Sequence, residues 1–294
     1  MKKLAKVLIV LTFLSLFYFG EIKKAEAFSF PNLFKEIFKA LPFSSQKDEF
    51  EIKKEALLKA VDLKLETLNH SKELFEDFLF STSTKTFSLS SSSIDLLKKL
   101  TSSSLEFINQ EIEFYLEEKE ALDKASDLFQ LLTIKESILL HQGAIKRLKK
   151  EEIKKISENL TQIFNHQKII EIASQREEKI RKDLSLLKED FPKLEFLENL
   201  LNLSQREIIL ARHLLKKEIL LFLFKTSLKE KIREEKISPF EIEKIKQKIE
   251  KLGVENFSLE DDSDLNLIGS QIEKLIENVY ENFETMASLV GSEK

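Results

Sequence analysis

Four histidines are the first residues to consider for metal or acid–base chemistry: His70, His141, His166 and His213. They lie far apart, and none belongs to a Glu-x-x-His pair, the i, i+3 spacing that puts two ligands on one helix face in ferritin-like carboxylate sites. His-Glu-x-x-His is absent as well. Histidines scattered in this way usually sit on the surface or make a hydrogen bond in the core. No metal site and no cofactor is expected.

Residues 260–264 form the densest acidic stretch and invite a calcium reading. A calcium loop of the EF-hand type needs alternating oxygen ligands, a central glycine and a terminal glutamate. Here Asp261-Asp262-Ser263-Asp264 is followed by glycine only at Gly269 and by glutamate only at Glu273, so the spacing fails. Asp262 or Ser263 as the N-cap of a following helix is the better reading. Gly-x-Ser-x-Gly, the P-loop and the dinucleotide fingerprint are all missing, and five scattered glycines leave little material for a phosphate cradle. No catalytic residue is assigned, and a non-enzymatic role is expected. An alternative reading, an exported helical enzyme or ligand-binding domain, would rest on Arg212 and His213 meeting a carboxylate from a second helix. Asn69, Asn159, Asn202 and Asn256 begin Asn-x-Ser/Thr triplets. Behind a bacterial-looking leader these are read as chance.

That leader occupies residues 1–27. Lys2, Lys3 and Lys6 precede an apolar run at 7–19, and Ala25 and Ala27 stand at the −3 and −1 positions of a cut. Charged start, short apolar core and A-x-A end are the parts of a secretory signal peptide. The run is short of the ~20 residues of a transmembrane helix, although an uncleaved anchor is the alternative. Cleavage after Ala27 would leave 42 basic against 49 acidic residues, a net charge of −7. Such a balance argues against a general nucleic-acid binder, which carries a basic footprint. With no cysteine there is no disulfide framework, so a buried core must hold the chain together.

Composition and periodicity then say what positions these residues. Glycine and proline are scarce and a third of the chain is charged, which suits long helices. Residues 28–46 hold a short amphipathic helix over 31–41, with Leu33, Phe34, Ile37, Phe38 and Leu41 on one face and Pro42 ending it. Residues 47–294 read as one helical bundle. Helices are expected over 47–80, from Ser92 or Ser93 to about 145, over 151–190, 193–236 and 239–252, and over 265–289. Gly143 marks a break and Gly253 a helix end. Inward positions include Leu57, Val61, Leu97, Ile108, Phe129, Leu132, Ile163 and Ile272. The apolar turn at 219–224 belongs in the centre of the packing rather than in a membrane, since charged neighbours interrupt it.

Between the first two long helices, residues 81–93 are ten-thirteenths Ser and Thr, a loop whose Phe87 and Leu89 are candidate partner contacts. The fold expected is all-α: an elongated bundle of long amphipathic helices with coiled-coil character, packed intramolecularly. The function expected is an exported interaction protein of the bacterial cell envelope. It would serve as an assembly factor, chaperone or secretion component, periplasmic or secreted, with a protein partner and no membrane span in the mature form.

Overall fold

A computed structural model describes residues 46–80, 89–147, 150–186, 193–234, 237–251, 253, 257–259 and 261–291. Among these, all regular structure is helical: α1 (Gln46–Phe80), α2 (Ser91–Lys124), α3 (Leu128–Arg147), α4 (Lys150–Ser185), α5 (Leu194–Arg233), α6 (Pro239–Lys251) and α7 (Ser263–Gly291). The all-α expectation holds. The leader, the 31–41 segment and Phe87 lie outside the described residues.

Contacts divide the chain into two units. One holds α1, α2 from residue 94, α3 and the start of α4 to residue 161; the other holds the rest of α4 with α5, α6 and α7. In the first unit Leu57, Val61, Leu97, Ile108, Tyr115, Leu131 and Ile138 form the core. In the second, α5 packs mainly on α7, and the core runs through Ile163, Ile170, Leu215, Phe222, Ile272, Val279 and Phe283. The buried positions of α5 advance by four and three residues in turn (Leu197, Leu201, Ser204, Ile208, Ala211, Leu215), which keeps one stripe inward. At 219–224 burial spreads around the helix, with Ile219, Leu221, Phe222 and Leu223 all enclosed, as the uniformly apolar turn requires.

Four expectations need correction. The helix expected from Ser92 or Ser93 to 145 is two helices, broken at Ala125–Ser126–Asp127. Asp127 Oδ1 accepts from the Gln130 amide at 2.9 Å, while Gln130 Oε1 accepts from the Ser126 amide at 2.8 Å. This reciprocal pair resembles a capping box, shifted by one residue. The new start resets the helical phase, so Phe129 and Leu132 turn outward and Leu131, Ile134 and Ile138 take the inward face. The first of the two helices is capped by Ser90, whose Oγ accepts from the Ser93 amide at 3.3 Å, two or three residues earlier than expected. Gly143 lies inside α3 and breaks nothing.

Helix ends elsewhere follow the sequence. Gly253 stands just past α6 with a φ of 71°, a left-handed conformation that favours glycine. Ser238 and Glu241 cap the start of α6 reciprocally: Ser238 Oγ accepts from the Glu241 amide, and Glu241 Oε2 from the Ser238 amide. Asp262 takes the N-cap position of α7, its carbonyl accepting from the Asn266 amide at 2.9 Å.

Candidate functional site

Polar side chains enter the helical interior at several places; some, such as Thr101 and Ser204, bond back to their own helix, and three pairs join one helix to another. In the second unit His166 of α4 faces α5, where its Nδ1 lies 2.9 Å and 3.1 Å from the two oxygens of Glu218. Both side chains are almost wholly buried. Glu273 of α7, largely exposed, stands 3.8 Å from His166 Nε2. Burial alone would lower the His166 pKa, but the bond and charge of Glu218, with Glu273 behind it, hold it above the ordinary histidine value. Burial pushes the Glu218 carboxyl up against the pull of His166. The pair joins α4 to α5 inside the protein. Gly269 makes room for it: a Cβ there would lie 2.6 Å from Gln162 Nε2 and 2.7 Å from His166 Cε1.

Two turns further along α5, Lys225 is buried against the start of α7. Its ammonium donates to Asp264 Oδ1 at 2.5 Å and to the Asp261 carbonyl at 2.6 Å, with Asp262 at 3.6 Å. The acidic loop that suggested calcium thus receives a cation from the protein itself. Its carboxylates also serve the helix start: Asp261 Oδ1 accepts from the Ser263 amide, and Asp264 Oδ1 from that of Leu265.

In the first unit the buried carboxylate is Glu111 of α2, 2.9 Å from His141 Nε2 of α3. The His141 ring stacks on Phe114 with centroids 3.7 Å apart. Beside them the enclosed Tyr115 accepts from Gln142 at 3.3 Å, and burial pushes its phenol up to about 12. Lys64 of α1 is held below the ordinary lysine value by burial and by the charge of Lys154, against the opposing pull of Glu111 and Glu158.

These pairs were not legible in the sequence. Glu111 and His141 are 30 positions apart, His166 and Glu218 are 52, and no local spacing marks a contact made between helices. Scattered histidines are expected on the surface or hydrogen-bonded in the core; His166 is buried and bonded to Glu218, His141 is half-buried and bonded to Glu111, and His213 is exposed. Among the described residues no group of three or more His, Asp or Glu is arranged to hold a metal ion. No described helix is long and apolar enough to cross a membrane.

Arg212 and His213 do not form the polar cluster that the alternative reading needs. Both are exposed, and Arg212 donates to Ser174 Oγ at 2.7 Å. Leu89 is half-buried next to the capping Ser90.

The outer face of α5 offers a different feature. Phe196, Leu203 and Leu210 are 49%, 48% and 53% exposed and stand seven residues apart. Asn199, Arg206 and His213, also exposed, lie between and after them. Single exposed leucines are ordinary. Three large apolar side chains at heptad steps along about 21 Å of helix form a line that a second helix could fill.

No protein-family model matches this chain, and comparison with curated proteins and with solved structures found no match.

Proposed function

We propose that this protein is an exported, non-enzymatic helical interaction protein of the bacterial cell envelope that binds a partner through the outer face of α5. The observation that carries the binding role is the line Phe196, Leu203, Leu210. It lies about 120° around α5 from the buried stripe Leu197, Leu201, Ser204, Ile208 and Ala211, and its three side chains remain about half exposed. An apolar line with polar flanks on a rigid helix is how a helix-binding surface is built. The interior polar groups support the same role: His166 with Glu218 and Lys225 with Asp264 hold α5 against α4 and α7 and keep the outer face in place.

Export rests on the leader, with its lysines, its apolar run at 7–19, and Ala25 and Ala27. Intact mass of the protein purified from its native host tests that part. A mature chain beginning at Phe28 is expected, and a chain beginning at Met1 overturns cleavage. The binding role is tested by a photo-reactive residue placed at Leu203 in living cells, with the same residue at exposed Glu277 of α7 as the control.

A further inference from the structure

The outer line of α5 does not end at Leu210. Leu221 and Leu228 stand about three and five whole turns further on, so they fall in line with Leu203 and Leu210. Both are buried, whereas Leu210 is 53% exposed. One face of one helix is thus covered over its second half and open over its first.

The cover is α6. It packs on α5 within the same unit, and the link at 234–238 turns the chain back along the helix it has just left. The chain leaves α6 at Gly253, whose carbonyl accepts from Lys217 Nζ at 3.0 Å. From Lys217 to Arg233 is about 24 Å of α5, and from Pro239 to Lys251 about 20 Å of α6, so α6 lies antiparallel over that stretch.

The sequence of α6 shows what this face accepts. Ile242, Ile245 and Ile249 stand at three- and four-residue steps; Ile249 is buried and the other two are half-buried. Glu243, Lys244 and Gln247, on the opposite side, are exposed. An aliphatic stripe on a charged helix is therefore the surface that fits this side of α5. Its cover stops at Lys217, about two turns short of Leu210, and leaves Leu210, Leu203 and Phe196 outside its reach.

We propose that the partner meets the open half of this face with an amphipathic helix of the α6 kind, aliphatic at three- and four-residue steps, laid antiparallel to α5 and in line with α6. This rests on the binding role given above to the outer face of α5. The covered half sets direction as well as chemistry. A helix that continues the course of α6 past Gly253 runs from Leu210 toward Phe196, and about four turns of it span the open line.

The test uses the purified full-length protein with a benzophenone residue at Phe196, at Leu210 or at the control Glu277. The probe is a synthetic amidated peptide of residues 238–251, in excess. Its counterpart carries Ile242→Ser, Ile245→Ser and Ile249→Ser. Adduct yield at Leu210 is expected to be about tenfold lower with the serine peptide, since its aliphatic stripe is gone. Mass mapping is expected to place the Leu210 adduct in the N-terminal half of the peptide and the Phe196 adduct in its C-terminal half. Equal yields from the two peptides, a yield at Glu277 matching that at Leu210, or the reverse order along the peptide would each overturn the proposal. Adducts in living cells test whether a partner exists, and these adducts test only which helix the face accepts, so the two can fail separately.

Discussion

Gly269 and Gly143 are both helical, yet their neighbourhoods predict opposite responses to one added methyl group. At Gly269 a Cβ meets the buried His166 ring and Gln162 at under 3 Å, whereas at Gly143 nothing lies within 4 Å. Gly143→Ala should raise stability by about 0.5–1 kcal/mol through helix propensity. Gly269→Ala should lower it by about 1–2 kcal/mol, because crowding outweighs that gain. Urea unfolding of both variants checks the pair, and equal signs would mean that α7 does not approach His166 as described.

His166 makes the second prediction at this scale. Its folded pKa is raised, so its stabilising contribution is complete below the unfolded value of about 6.5 and is lost as pH rises through the folded value. The raised Glu218 acts in the same direction, since its burial as a charged group costs more as pH rises. Stability should therefore decline on the alkaline side, and Glu218→Gln, which removes the raised carboxyl and the main partner that raises His166, should flatten that decline. At pH 6 the substitution should cost about 3–5 kcal/mol, as for other buried pairs broken on one side. Thermal unfolding from pH 5 to 9 measures both. Nothing in the sequence around His166 announces this pair, because a partner 52 residues away is chosen by how helices pack.

For the elements, the helix assignments at 46–80, 194–233, 239–251 and 263–291 were legible to within a few residues. Long one-face periodicity specifies them, together with Pro239 at a first position and Gly253 past an end. The break at 125–127 was not legible. Leu122, Phe129 and Leu132 continue an apparent helical face straight through it, and Ser126 and Asp127 look like ordinary polar surface residues. Only the bonds of Asp127 and Gln130 reveal the new start.

The phase change has a direct test. Leu131→Ala, at a buried position, should cost about 2–5 kcal/mol, and Leu132→Ala, at a half-exposed one, less than about 1 kcal/mol. A continuous helix with Leu132 inward predicts the reverse order in urea unfolding. The outer line on α5 was missed for a related reason. Phe196, Leu203 and Leu210 look like core residues in a sequence, and only burial separates them from Leu197, Leu201 and Ile208.

At the scale of the whole molecule, a leader sequence precedes a body of long helices with an exposed apolar line on α5. In the proposed function the leader directs export, and cleavage after Ala27 would leave a net charge of −7, a balance unlike the basic footprint of a general nucleic-acid binder. The interior polar pairs link helix to helix, while Phe196, Leu203 and Leu210 of the α5 outer face stay about half exposed. The most direct measurement is photo-cross-linking in native cells with a benzophenone residue at Leu203, Leu210 or the control Glu277. The account predicts an adduct with a distinct envelope protein from Leu203 and Leu210 and none from Glu277. No adduct, an adduct of equal yield from Glu277, or one matching two copies of this chain would contradict it.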